Sequence, residues 1–416
     1  MRLSADIDSF SRIFVAISGC LCISCQSMEA FISEAVSPTH GGNTMPGNNA
    51  QSRREFLGKT TAGMGAAALA GLAGCSGGGV LGGADEPSGP LTVAVYGGVF
   101  QEVMDEQLFA PFNEEFDFEA QSEAQPTAEE ALTQYENAVE AGEAPVDVAI
   151  LANTGVLKGL NSELFHTWDA NEFENLQYIS DGLVRETDGG VVSIGALSWY
   201  INLVQNTDVL EEPVGSWEAL WDSQYEDQMA LLSYASNSFL LEVTANLFFD
   251  GKEILDSREG VDEVLGKLEE VKPQANMWYE NEAEFQQRLR DAEVPAGMLY
   301  NDVTLVMKDE GAPVQSNFVE EGSILDSGHW VTLASSELTE EARQFIDYAS
   351  RPEVQDRIAE NLFTSPTIDR QYSEISEETY QTIAGPGPDQ AIIPKYDLYV
   401  EEEDWVNERW NEFIIN

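Results

Sequence analysis

Few residues in this chain can do covalent chemistry once it is divided at Cys75. The four cysteines stand at 20, 22, 25 and 75, and the histidines beyond Cys75 are His166 and His329 alone. No G-x-S-x-G elbow presents a nucleophilic serine. Cys20-Leu-Cys-Ile-Ser-Cys25 has thiols at ligand-like spacing, but no second pair accompanies it. Gly97-Gly98 lacks both the G-x-G-x-x-G spacing and the lysine of a phosphate-binding loop. With 74 Asp and Glu in the chain, no single acid–base pair stands out. Neither an enzymatic activity nor a cofactor or metal is expected. Recognition chemistry remains. Just past the predicted apolar strands come Tyr96-Gly97-Gly98, Asn153-Thr154, Ser236-Asn237, Tyr300-Asn301-Asp302 and His329-Trp330. Each is ordinary as a turn or core residue, but the recurrence of aromatics and amides suits a cleft that encloses a small polar solute.

These residues need elements to carry them. Leu91–Tyr96 and Val146–Leu151 are short continuous apolar runs, as in strands buried on both faces. Between them, Phe100, Val103, Met104, Leu108 and Phe109 recur at helical spacing. The capping box in Pro126-Thr127-Ala128-Glu129-Glu130 opens a helix that Gly142 ends. Strand–helix alternation without hairpin signals predicts an α/β protein with parallel sheet. Val191–Asn206 is unusually long for a strand and apolar throughout, which suits a segment crossing between two α/β lobes. Strands are predicted at Met229–Leu232, Ala296–Tyr300, Val314–Val319 and Trp330–Ala334. Helices are predicted over 236–249, 260–271, 281–291 and 339–350, with Trp217–Trp221 a short one. Trp405, Trp410 and Phe413 mark an amphipathic C-terminal helix packed on the body.

Charge and the N-terminus supply an address. Ser52-Arg53-Arg54-Glu55-Phe56-Leu57 and the Ala/Gly-rich run after it form a secretory signal with a twin-arginine n-region. Paired arginines buried against alanines would be left unpaired, a rare arrangement. Leu72-Ala73-Gly74-Cys75 resembles the lipobox of lipoproteins, in which the cysteine is lipidated and becomes the mature N-terminus. Residues 45–74 are thus the signal peptide, Met45 the expected translation start, and 1–44 an over-extended start. Residues 75–89 form a Gly-rich tether reaching roughly 20 Å as a flexible coil. Five of the 20 Lys and Arg and five of the 74 Asp and Glu precede Cys75, so the whole net charge of −54 belongs to the exported part. With 43% apolar residues the acidity is not that of a disordered tail. A surface for basic macromolecules would concentrate the charge, whereas here it is spread. Solubility in very high salt fits best, and only seven lysines in the chain agree. The basic patches that bind nucleic-acid phosphates are absent, and no apolar run after Cys75 is long enough to span a bilayer.

The chain also resembles a family over roughly 90–370. It is similar to the extracellular solute-binding lipoproteins of ABC importers, in the branch of the spermidine/putrescine-binding proteins. The resemblance rests on Tyr96-Gly97-Gly98-Val99-Phe100-Gln101, Pro111-Phe112, Val146-Asp147-Val148 and Ser198–Asn206. It continues in Ser216-Trp217-Glu218-Ala219-Leu220-Trp221, Glu321-Gly322-Ser323 and the run from Trp330 to residue 366. It implies a periplasmic-binding-protein type II fold, two α/β lobes closing on a solute about a hinge. Lobe I would hold 90–202 and 330–362, and lobe II 203–329 and 363–416. It implies a monomer on the extracellular face of the cytoplasmic membrane, held through Cys75, that hands its solute to permease subunits. Polyamine binders enclose the cation with aromatic faces and carboxylates, which here points to Tyr96, Trp199, Tyr200, Trp278, Tyr300, Asp302 and Glu321. The tryptophan such relatives carry after the first strand is replaced by Tyr-Gly-Gly, whose free backbone N–H groups would also suit an anion. An organic cation ranks first, an anionic or zwitterionic organic solute second, and ferric iron third, since no Tyr-Tyr pair is present. A secreted acidic hydrolase is the competing class.

Overall fold

The computed structural model describes residues 89–126 and 128–415. The twin-arginine pair Arg53-Arg54, Cys75, residues 1–88 and the Thr127 cap lie outside the described residues.

Ten strands form one hydrogen-bonded series. They are β1 (Leu91–Val95), β2 (Ala120–Ala124), β3 (Val148–Ala152), β4 (Val184–Thr187), β5 (Gly190–Asn206), β6 (Met229–Leu232), β7 (Ala275–Tyr279), β8 (Ala296–Tyr300), β9 (Val314–Asn317) and β10 (Ile324–Thr332). Their order is β2-β1-β3-β10-β5-β8-β6-β7, with β4 and β9 also paired to β5. β1 runs parallel to β2 and β3, and β6 runs parallel to β7 and β8. β10 is antiparallel to both β3 and β5. Each parallel set is joined by helices, as crossover connections require. The expected α/β class forms, with the expected parallel pairing at both ends of the series; its middle, where β5 pairs with β4, β8, β9 and β10, is antiparallel, so the sheet is mixed.

The series is divided by its packing into two halves. One core gathers Val93, Phe100, Phe112, Ile150, Leu197, Trp330, Phe345 and Ile368. The other gathers Ile201, Trp217, Leu231, Phe285, Met298, Ile324 and Trp410. β5 leaves the first core at Leu197 and enters the second at Ile201, and β10 returns from Ile324 to Trp330. Its seventeen residues are long because one strand serves two cores. A third crossing follows Ile368. Ile375, Tyr380 and Ile383 pack with Tyr200 and Leu325 on one face of the crossing strands, and Ile392 rejoins the second core. Ile368 packs in the first core, and Phe363 packs with the cluster around Tyr200 and Leu325.

Several local expectations are adjusted. The helix predicted from Phe100 to Phe109 runs further, from Val99–Met104 through a π-turn at Asp105–Phe109 into Ala110–Glu115, past Pro111. A proline removes one helical hydrogen bond, and a wide turn before it accommodates the loss. His329 and Trp330 lie within β10 rather than beyond a strand. β2 and β7 escaped the sequence reading because their patterns are polar or mixed, Ala-Gln-Ser-Glu-Ala and Ala-Asn-Met-Trp-Tyr. Sheet edges tolerate such strands. Among the described residues no helix is long and apolar enough to cross a membrane.

Candidate functional site

The crossing strands open to solvent at one place. From Val191 onward β5 is buried except at Trp199, and β10 is buried except at Asp326. Asp326 and Trp199 are partners in the register between the two strands, so their side chains stand together on one face. Trp199 packs against both cores. An indole and a carboxylate thus form the floor between the halves.

Two strand ends flank this floor. Ala152, the last residue of β3, pairs with Gly328 of β10, and Tyr300, the last of β8, pairs with Ile201 of β5. The helices Asn153–Asn161 and Asn301–Asp309 start immediately after them. In α/β sheets the carboxyl ends of strands are where ligands bind, and here the carboxyl ends of both halves meet the crossing.

On the first flank Asn153 Nδ2 donates to Asp326 Oδ1 at 3.2 Å and to Ser327 Oγ at 2.9 Å. Asp326 Oδ1 also accepts from the Ser327 backbone N–H at 2.8 Å and from the Tyr396 hydroxyl at 2.9 Å. Burial raises the Asp326 pKa above the ordinary carboxylate value, and the three donors oppose the rise. Tyr96 ends near the same point. Its ring meets Phe100 edge-on at 5.2 Å, and a Cβ on Gly328 would lie 3.5 Å from its hydroxyl. Burial, and then the Asp326 charge, raise the Tyr96 pKa, so the phenol stays neutral. His329 sits behind, its Nε2 2.9 Å from Ser327 Oγ. Desolvation, helped by the nearby Arg185 charge, lowers it to about 3 and keeps it neutral. Gly97 and Gly98 are exposed, and Gly98 takes a φ of 70° that favours glycine. Thr154 is partly buried in the first turn of its helix.

On the second flank the Tyr300 hydroxyl donates to Asn237 Oδ1 at 2.7 Å, with Ser236 exposed beside it. Asp302, in the first turn after β8, is partly buried, and its Oδ1 is buried with no hydrogen-bond partner among the described residues. Desolvation raises its pKa to about 7, and the charge of buried Glu282 adds to the rise. An unpartnered carboxylate oxygen is costly to bury, and an incoming ammonium group would relieve that cost.

The structure therefore brings Tyr96, Asn153 and Trp199 to one side of the crossing and Asn237, Tyr300 and Asp302 to the other. It gives four expected residues different duties. Tyr200 points to the opposite face, against Phe318 at 5.1 Å, because neighbouring strand residues alternate. Trp278 packs edge-on to Phe413 at 5.6 Å beneath the C-terminal helix. Glu321 caps the turn at Trp217–Trp221, accepting from the Ser216 hydroxyl and from the Trp217 N–H at 3.2 Å. Trp330 is buried in the first core, 5.4 Å from Phe345. Two residues were missed, Asp326 and Tyr396. Asp326 had a visible signal, a lone acid in the otherwise apolar and small run Ile324-Leu-Asp-Ser-Gly328. Tyr396 had none, because its role depends on where the C-terminal segment docks.

The γ-aminobutyric acid-binding protein of Pseudomonas aeruginosa is 25% identical over 293 residues, covering 68% of this chain and 78% of the relative. An ABC transporter structure from Clostridium perfringens aligns with a TM-score of 0.66 at 21% identity, covering 78% of this chain and 99% of that one. The spermidine/putrescine substrate-binding protein of Streptococcus pneumoniae, solved with calcium and HEPES, aligns with a TM-score of 0.66 at 19% identity, covering 79% and 99%. These structures share the type II periplasmic-binding-protein fold, with its mixed sheets and flanking helices. Residues 107–378 match the family described as bacterial extracellular solute-binding protein. With that match, and with two halves meeting over an indole and a carboxylate, the chain belongs to the extracellular solute-binding proteins, the solute-capturing components of ABC transporters.

Proposed function

We propose that this protein captures a small organic cation, a polyamine or related aliphatic ammonium solute, and delivers it to an ABC permease without chemical turnover. The observation that carries this reading is the in-register pair of Trp199 and Asp326, the one opening in the crossing strands. An aromatic face beside a carboxylate attracts an ammonium group through the ring quadrupole and through charge. Asp302, with its unpartnered buried oxygen in the first turn after β8, would supply a second carboxylate. Tyr96 and Tyr300 supply apolar faces for an alkyl chain between two charged ends.

A second reading, a zwitterionic amino acid, is favoured by a different observation. The relative from Pseudomonas aeruginosa is named for γ-aminobutyric acid, which carries one ammonium and one carboxylate. Gly97-Gly98 and Arg185, whose Nη2 lies 3.4 Å from Asn153 Oδ1, are the groups on the first flank that would meet an anion.

The same proposal includes the address: export through the twin-arginine signal, lipidation at Cys75, and a surface adapted to high salt. One thermal-unfolding series tests solute and surface together. The chain is melted in concentrated KCl and in dilute buffer, with putrescine, spermidine or γ-aminobutyrate in excess. A ligand that binds only the folded state raises the midpoint. The expected result is a rise with the diamine or triamine, and a higher midpoint in KCl without any solute. A rise with γ-aminobutyrate alone would select the second reading. Product formation without any stabilising solute would return the competing hydrolase class. A midpoint no higher in KCl would remove the high-salt surface.

A further inference from the structure

We propose that Tyr396 is a positioning residue whose phenol, with Asp326 and Asn153, forms the joint that couples the two halves of the protein. The inference goes beyond the nature of the solute and does not depend on it.

The joint is built from three parts of the chain. Asn153 opens a helix of the first half, Asp326 lies on the crossing strand, and Tyr396 opens the helix Tyr396–Glu401 in the C-terminal segment. One carboxylate oxygen accepts from both, at 3.2 Å from Asn153 Nδ2 and 2.9 Å from the Tyr396 hydroxyl. The C-terminal segment is fixed firmly on the second half. The Lys395 N–H and the Tyr399 hydroxyl donate to buried Glu242 at 2.8 and 2.7 Å. Trp410 Nε1 donates to the Ser233 carbonyl at 2.6 Å. Phe239, the residue before the helix Leu240–Phe248, packs on Tyr396 and Tyr399 with ring centroids 6.1 and 5.7 Å away.

Tyr396 is therefore a rigid arm of the second half that reaches the crossing, where the first half holds the same carboxylate. The segment also meets the first half where the helix Tyr396–Glu401 packs on the helix Asn153–Asn161, where the Arg185 charge acts on Tyr396 and Asp397, and in the half-exposed Lys158–Glu403 ion pair at 2.7 Å. Such pairs contribute little. A hinge rotation of one half against the other has to stretch the bond from Asn153 to Asp326 or the bond from Tyr396 to Asp326. The same carboxylate faces Trp199 on the floor, so the joint and the solute site share an atom group.

Hydrogen–deuterium exchange on the full chain tests this. Replacing Tyr396 by Phe keeps the ring and removes the hydroxyl, which donates to Asp326 Oδ1 at 2.9 Å and lies 3.3 Å from the Leu325 carbonyl oxygen on the same crossing strand. The expected result is exchange about fivefold faster, the effect of one ordinary hydrogen bond on a local opening, in residues 153–157 and 324–328 as well as around 396. Tyr399→Phe removes a bond made within the second half, and its effect should stay within 240–248 and 395–401. Coupling is reciprocal, so Asn153→Ala should speed exchange in 396–401. If Tyr396→Phe loosens only 395–401, or if Asn153→Ala leaves 396–401 unchanged, the joint does not exist. If Tyr399→Phe loosens 153–157 as much as Tyr396→Phe does, docking of the whole segment, and not this phenol, couples the halves. Circular dichroism confirms that each variant is folded, and the two ends of the joint give independent tests should one variant fail to fold.

Discussion

At the scale of single residues, Asp302 concentrates the electrostatics of the proposed site. Its carboxyl is raised from 3.8 to about 7, first by desolvation and then by the Glu282 charge. The folded value lies above the unfolded one, so the folded protein holds a proton that the unfolded chain has released between these two values. The contribution of Asp302 to stability therefore falls as pH rises through that window, and its full cost is present above about 7. A cation needs the ionised form. Asp302→Asn should flatten this part of the pH profile in urea unfolding, becoming more stable relative to wild type at pH above the window than below it. The same variant should weaken putrescine binding about tenfold to a hundredfold, the usual worth of a hydrogen bond to a charged group, most strongly in alkaline buffer. Calorimetric titrations on both sides of pH 7 would show it. An unchanged affinity in alkaline buffer would take Asp302 out of the site.

At the scale of elements, the position of Tyr300 depends on how closely β8 approaches β6. Gly297 pairs with Ala230 across these strands, and a Cβ there would lie 2.4 Å from the Ala230 carbonyl oxygen and 2.7 Å from Phe285 Cζ. Neither the backbone of β6 nor a fully buried ring can retreat without cost. Gly297→Ala should destabilise by about 1–3 kcal/mol, as overpacking does, and displace the Tyr300–Asn237 pair. Gly266, inside the helix Arg258–Leu268, has nothing within 4 Å of the added atom. Gly266→Ala should instead stabilise by about 0.5–1 kcal/mol. Urea unfolding of the two variants gives opposite signs if the contacts at β8 are as described, and equal effects would contradict that packing.

At the scale of the whole molecule, a solute trap has to remain beside its permease. The proposed leash is Cys75 and the Gly-rich stretch after it, which reaches roughly 20 Å. A net charge of −54 gives the body no electrostatic attraction to an anionic membrane, so the lipid would be the attachment. Cys75→Ser should move the protein from the membrane fraction to the medium while leaving its solute-induced thermal shift unchanged. Retention in the membrane fraction would mean another anchor. Much of this level was readable early. Two α/β halves, the long crossing strand and the C-terminal amphipathic helix all follow from apolar runs and helical spacing, because burial forces those patterns. The fold shared with the solved structure from Clostridium perfringens agrees with the α/β architecture.

The sequence by itself determined the strands β1, β3, β5, β6 and β8, the strand-end residues Tyr96, Asn153 and Tyr300, and the shortage of nucleophiles that points to binding. These are properties of composition and local period, which need no partner to be visible. Tertiary structure alone decided which residues share a face. Register turned Trp199 toward Asp326 and Tyr200 away from it, since adjacent residues of a strand point to opposite faces. Docking of the C-terminal segment brought Tyr396 to a carboxylate seventy positions earlier in the chain, and packing turned Trp278, Glu321 and Trp330 from candidate site residues into structural ones. Contacts between residues far apart in sequence leave no period to read.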